Sequence, residues 1–362
     1  MVDRATSRLL VYNAAAATVW RAWSRSASVA DAAKQLGMTF GIDAGRAHRD
    51  VEAILEHWRS EGLFDTATPL APGSDTVEWQ ARDKVYAGRW TCQISGLTIE
   101  FAIEKSDRVA QVRTLLQLFE TEGSPTRPAD LSIALREVEG GATALIVDGL
   151  ERVRAAKGET LKDAVHDVLI ERIHPRARVL ALAHAGCVAK NDIAVGFPAD
   201  SGGGKTTLIA YLAAHGFTYI SDDLLPIAED GIALPWPMPL SVKSGSLAVL
   251  GPIYPHLAEA RSFRTKGDTA HLLPPPVMNW DHHVDLRFLV FPKYGPSADA
   301  AFDEIGPLDA LTRLIQSRIW LGYPLTLDRV TAFLKWLASV RSFACTYSDV
   351  KDAAAHVNRI VG

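Results

Sequence analysis

Ile193-Ala194-Val195-Gly196-Phe197-Pro198-Ala199-Asp200-Ser201-Gly202-Gly203-Gly204-Lys205-Thr206-Thr207 is the stretch from which the rest of the chain can be read. Its first five residues form a short apolar run, which predicts a buried strand. The glycines let the backbone curl until several N–H groups point at one anion. A helix predicted over 205–215, closed by Gly216, adds the positive end of its dipole. The run matches the pattern G-x-x-x-x-G-K-[ST] at Gly204, Lys205 and Thr206, with Ala199 in place of the first glycine. Loops of this kind cradle phosphates: the lysine reaches the β- and γ-phosphates and the hydroxyl reaches Mg²⁺. Ser201, Gly202, Gly203, Gly204, Lys205, Thr206 and Thr207 are therefore candidate nucleotide-binding residues, with ATP and Mg²⁺ the expected ligands. A glycine-rich turn with an incidental lysine is the plain alternative.

An acidic pair tests the reading independently. The helix over 205–215 rises roughly 16 Å, and a strand over 217–221 returns roughly 17 Å. Asp222 and Asp223 should then come back to the level of the loop. Parallel strands would put both at the carboxyl edge of the sheet, where ligands bind in such folds. One carboxylate could hold the metal and the other could take the proton of an attacking hydroxyl, a division the residues leave open. Thr206 and Asp223 are the metal candidates, and Asp222, Asp223 and Lys205 the catalytic ones. His184 precedes the strand that leads into the loop, and a lone histidine on an apolar segment is more often a core residue.

Working outward, the 362 residues divide into four parts. Residues 1–66 read as a small helical unit. A strand over 8–12 comes first, then a helix over 14–23 capped by Asn13. A second over 29–36 is capped by Ser28 and ended by Gly37, and a third over 44–60 by Asp43. Val51, Ile54, Leu55 and Trp58 give the third an apolar stripe. Residues 67–76 carry linker chemistry, with Thr68, Pro69, Pro72, Gly73 and Ser74. Residues 77–177 are β-rich, with a hairpin across Ser95-Gly96, strands over 131–135 and 144–147, and a helix over 160–173. Residues 178–362 alternate strand and helix. Pro274-Pro275-Pro276 marks an irregular loop, and a last helix is expected over 327–340. The fold class is α/β.

Composition narrows the partners. Apolar residues make up 48% and charged residues 22%, which suits a globular protein with real cores. A net charge of −4 lacks the basic footprint of a nucleic-acid binder. Cys92, Cys187 and Cys345 are sparse and far apart, which argues for ordinary core or surface residues in a reducing compartment. The longest apolar stretch, near 179–189, is too short to span a bilayer. No membrane partner and a cytoplasmic location are expected.

The run His184-Ala185, the loop through Thr207, and Ile220-Ser221-Asp222-Asp223 resemble the catalytic core of HPr kinase/phosphorylase. Leu289-Val290-Phe291-Pro292-Lys293-Tyr294 fits a late strand of that family. The resemblance implies a variant P-loop-type kinase core akin to phosphoenolpyruvate carboxykinase, and ATP-dependent phosphorylation of a serine. It also implies a catalytic place for His184 and, in many members, homo-oligomers. The family's second glycine-rich signature is absent: the chain reads Pro237-Met238-Pro239-Leu240-Ser241-Val242-Lys243-Ser244-Gly245, so no phosphorylase activity is implied. Lys243 is either a nucleotide or acceptor contact or a solvated lysine.

The first part resembles PqqD-type peptide-recognition domains, which share a winged-helix-like pattern and bind the leader of a ribosomally made precursor by pairing it with a strand edge. A DNA-reading winged helix would need a basic third helix. Arg46, Arg49 and Arg59 are balanced there by Asp50, Glu52, Glu56 and Glu61. Together the resemblances imply a kinase acting on a Ser or Thr hydroxyl of a precursor peptide or small protein, in a setting like lasso-peptide biosynthesis. A nucleotide-gated peptide-binding protein without transfer, or a kinase of a small molecule, are the alternatives.

Overall fold

The computed structural model describes residues 2–3, 8–9, 14–26, 28–60, 86–104, 109, 112–114, 116–121, 128–137, 143–155, 162–175, 177–200, 202–265, 268–276, 279–322 and 325–362. The chain divides into two compact units, Met1–Ser74 and Asp75–Gly362.

In the first unit, β1 (Val2–Asp3) pairs antiparallel with β2 (Arg8–Leu9), and α1 (Ala14–Ser26), α2 (Val29–Phe40) and α3 (Ala44–Ser60) follow. Ser28 Oγ accepts the Asp31 N–H at 3.2 Å and Asp43 Oδ1 accepts the Arg46 N–H at 2.9 Å. Two of the three expected caps, Ser28 and Asp43, therefore form. The helix α1 runs past the expected end at Trp23. Gly37 does not end α2 either. The helix continues to Phe40 and closes on Gly41 in the left-handed region at φ 65°. A mid-helix glycine costs about 1 kcal/mol. Gly37 sits where a Cβ would come within 3.2 Å of Ile42 O, so close packing favours it. Val51, Leu55 and Trp58 of the predicted stripe are buried, with Trp20 edge-on to Trp58 at 5.4 Å. The Asn13 cap, the rest of the strand over 8–12, any wing beyond Ser60, and the linker lie outside the described residues.

In the second unit, β3 (Gly88–Ile94), β4 (Leu97–Ile103), β5 (Leu131–Glu137), β6 (Thr143–Val147) and β7 (Leu150–Ala155) form a five-stranded sheet in chain order. Ser95 and Gly96 make the expected two-residue turn, with φ of 52° and 77°, the left-handed pair that a tight hairpin needs. Next come α4 (Lys162–Ile173), β8 (Val179–Ala183), β9 (Ala185–Lys190), β10 (Ile193–Pro198), α5 (Lys205–Ala214) and β11 (Thr218–Ser221). The chain goes on through β12 (Leu225–Ala228), β13 (Ile232–Ala233), β14 (Leu240–Lys243), α6 (Leu247–Leu250), β15 (Ser262–Thr265), β16 (Asp268–Leu273) and β17 (Val284–Tyr294). Last are β18 (Ala301–Ile305), α7 (Pro307–Gln316), β19 (Ile319–Leu321), α8 (Leu327–Ser339), β20 (Arg341–Tyr347) and α9 (Val350–Val361). The helix over 327–339 is thus not the last. Asp349 caps α9 by accepting the Lys351 N–H at 2.8 Å, and Val350, Ala353, Val357 and Val361 form its buried stripe.

A ten-stranded sheet runs β11-β9-β10-β17-β13-β12-β8-β19, with β20 joining β17 and β18. It is mixed, not parallel: β9 lies between β10 and β11 and is antiparallel to both. The two flanking strands therefore run the same way, and their carboxyl ends share an edge. One core packs Phe197, Leu208, Val290 and Val357 around this edge. A second joins Phe101, Ile133 and Leu169 of the β-rich part to Leu182, Trp236 and Met238. All three cysteines are free and buried. Among the described residues no helix is long and apolar enough to cross a membrane.

Candidate functional site

The strand β10 delivers the chain to the glycine loop, and α5 leaves it. Gly202 and Gly204 take φ of 96° and 87°, which an L side chain resists. The loop is tied down by Gly203 N–H to Asp200 O at 3.1 Å and by Tyr294 N–H to Gly203 O at 3.1 Å. The helix α5 starts at N-cap Gly204 with no side-chain cap. Its first N–H groups have no intrahelical partner and are open to an anion. Ser201 lies outside the described residues.

Lys205, only 6% exposed, holds its Nζ 3.0 Å from Asp223 Oδ1 and 4.0 Å from Asp222 Oδ1. The Thr206 hydroxyl donates to Asp222 Oδ2 at 2.9 Å. Asp222 Oδ1 is buried without a hydrogen-bond partner. Burial, and next the charge of Asp223, push the Asp222 carboxyl up to about 6; Lys205 and Thr206 oppose this. Asp223 is half exposed and sits in the left-handed region at φ 67°. His184, between β8 and β9, donates from Nδ1 to the Asp223 carbonyl at 2.8 Å. A carbonyl only accepts, so Nδ1 carries the proton and Nε2 is left as an acceptor. Burial, reinforced by Lys205, lowers the His184 pKa and favours this neutral form.

Apart from Ser201 and Gly203, and from Asp222 beneath them, the predicted site residues line one cavity of about 1430 Å³. Lys243 also lines it. Tyr294, Tyr347, Ser246 and Arg318 line it too, and sequence reading missed them. Tyr294 and Tyr347 pair across β17 and β20 at 5.8 Å between rings. The strand end at Tyr294 was visible and that at Tyr347 was not, and nothing local marks the tyrosines as neighbours of the loop. Ser246 meets Thr207 hydroxyl to hydroxyl at 2.6 Å.

The residues fit a divalent cation and a phosphate chain. Among the described residues no group of three or more His, Cys, Asp or Glu could hold a metal. Mg²⁺ in phosphate sites takes one or two protein carboxylates and completes its shell with water and substrate oxygens. Thr206 and Asp222 Oδ1, which accepts no hydrogen bond, meet that description.

Gly204→Ala tests the cradle. Its Cβ would lie 2.2 Å from the Tyr347 hydroxyl, on a backbone at φ 87°. We expect a loss of about 1–3 kcal/mol of stability and at least tenfold weaker ATP binding by calorimetry. Unaltered affinity would mean that the loop is not held against Tyr347.

No curated protein matches the chain. A solved structure described as the Hpr(Ser) kinase/phosphatase from Coxiella burnetii aligns over 49% of this chain and 96% of its own, at 9% identity and a TM-score of 0.24. Residues 1–63 match the family model described as Coenzyme PQQ synthesis protein D (PqqD), which gives the first unit a PqqD-like domain.

Proposed function

We propose that the second unit is an ATP- and Mg²⁺-dependent kinase, with a P-loop-type core, that phosphorylates a Ser or Thr hydroxyl on a peptide. One observation carries this: an uncapped helix N-terminus, a buried lysine and the Asp223 carboxylate meet at one cavity, and the buried Asp222 behind them has one carboxylate oxygen, Oδ1, that accepts no hydrogen bond. Structural ion pairs rarely leave a buried acceptor unmatched.

Lys205 and the N–H groups that open α5 bind phosphate oxygens. Thr206 with Asp222, rather than with Asp223, holds the cation, because the threonine hydroxyl is bonded to Asp222. The cation, when bound, neutralises charge on the phosphates. Asp223 takes the proton of the acceptor hydroxyl as the new O–P bond forms and the bond to the ADP oxygen breaks. His184 acts by pinning the left-handed backbone of Asp223. The cavity of about 1430 Å³ exceeds what one small ligand needs and leaves space for an acceptor.

The PqqD-like domain supports a peptide as that acceptor. A leader held by residues 1–63 raises the local concentration of the acceptor without new contacts at the site. A biosynthetic precursor, of the lasso-peptide kind or another, is the substrate class in this reading. Mass spectrometry of candidate precursors incubated with ATP and Mg²⁺ checks it. Gain of one phosphoryl group is expected, and removal of residues 1–63 should slow it. Tight nucleotide binding with no modified peptide would favour a gated binding protein instead.

A further inference from the structure

Six non-glycine residues among those described have positive φ: Ser95, Asp148, Asn191, Asp192, Asp223 and Arg318. Four lie in two-residue hairpin turns, where the left-handed region is the ordinary solution. The remaining two, Asp223 and Arg318, both line the cavity. Arg318 follows α7 at φ 70°. That position past a helix end is common for glycine, which fits it without strain. The chain keeps an arginine there at a conformational cost, and strain of this kind collects at functional sites.

The placement is firm. Arg318 N–H donates to Ile315 O at 3.2 Å, and Arg318 O accepts the His184 N–H at 2.9 Å. The pairing of β19 with β8 puts Ile319 opposite Ala183, which fixes Arg318 beside His184. Yet the exposed guanidinium has no hydrogen-bond or ion-pair partner among the described residues. A long cation is thus held at the wall next to Lys205, Asp223 and His184, with no hydrogen-bond or ion-pair partner for its side chain among the described residues.

We propose that Arg318 contacts the phosphoryl group in transit and offsets the negative charge that shifts to its leaving oxygen. This rests on the kinase reading above. As the hydroxyl O–P bond forms, its proton goes to Asp223 and the bond to ADP breaks. The fork of N–H donors on Arg318 suits phosphoryl oxygens better than a lysine ammonium does.

Arg318→Gly separates function from folding, because glycine relieves the backbone. The variant should melt no lower than wild type and bind MgADP within about twofold. Wild type should bind MgADP more tightly when aluminium fluoride, a mimic of the phosphoryl in transit, is added. Arg318→Gly should lose at least tenfold of that gain, and transfer should fall by about 100- to 1000-fold. Arg318→Lys should fall between. A glycine variant that keeps the aluminium fluoride complex and its turnover overturns the role of Arg318 alone. So does one that melts lower and loses MgADP, since Arg318 is then an anchor. A wild-type protein that binds no nucleotide overturns the kinase reading, and this role with it.

Discussion

Lys205→Ala is expected to slow phosphoryl transfer by about 100- to 1000-fold, the scale of losing one charge-stabilising group in a water-poor site. The lysine is 6% exposed and lies between Asp223 at 3.0 Å and Asp222 at 4.0 Å. Removing it does two things. The phosphate chain loses the buried cation at its cradle. Asp222 also loses the charge that opposes burial, so its carboxyl climbs above about 6 and spends more of its time protonated. A protonated Asp222 is a poor cation ligand, so MgATP affinity should fall with the rate. Stability should drop by about 1–2 kcal/mol at pH 8, where Asp222 must stay charged, and less at pH 5. Lys205→Arg should not rescue, since a planar fork does not fit a buried point-charge site. Steady-state kinetics with calorimetry and melting curves at two pH values check each part. Unchanged turnover in Lys205→Ala would sink the assignment.

The loop and the acidic pair were legible because both depend on local chemistry and chain length. Glycines set the curl, and helix rise and strand return brought Asp222 to Thr206. The sheet was misread as parallel, yet the length argument survived. It needs only that β10 and β11 point the same way, and β9 between them preserves that. The hairpin joining β9 to β10 had a signal, Asn191-Asp192, both now at positive φ. The helix α9 also had one, the Asp349 cap ahead of an apolar stripe. Gly37 misled because a glycine's role depends on what packs against it, which sequence does not show. Arg318 was invisible for the same reason. It reaches the cavity through the pairing of β19 with β8, between segments over a hundred residues apart in sequence. Adjacent in sequence, Asp222 and Asp223 look alike, and only the fold shows that the Thr206 hydroxyl bonds to the first.

Asp222→Asn should move stability and activity in opposite directions. Asp222 is buried, with Oδ2 accepting from Thr206 and Oδ1 accepting no hydrogen bond. Gly186 leaves that oxygen room, since a Cβ there would lie 3.3 Å from it. The carboxyl rises from 3.8 to about 6 on folding. A raised acid means that the native state holds the proton more tightly than the unfolded chain does. The contribution of Asp222 to stability without ligand is then fullest below about pH 4, falls as pH rises to about 6, and is level above. Asparagine keeps the shape and the Thr206 partner but removes the charge. The variant should therefore melt a few degrees higher than wild type at pH 8, with the gap closing towards pH 4. Transfer should fall at least about 100-fold and lose its response to Mg²⁺. Melting curves from pH 4 to 8 and a magnesium titration of turnover read both effects. A variant that melts lower throughout yet keeps magnesium-dependent turnover would make Asp222 a structural partner of Thr206. The predicted outcome has another meaning: the fold tolerates an unfavourable buried charge because the site needs it for a cation, and stability given up at one residue is the mark of function there.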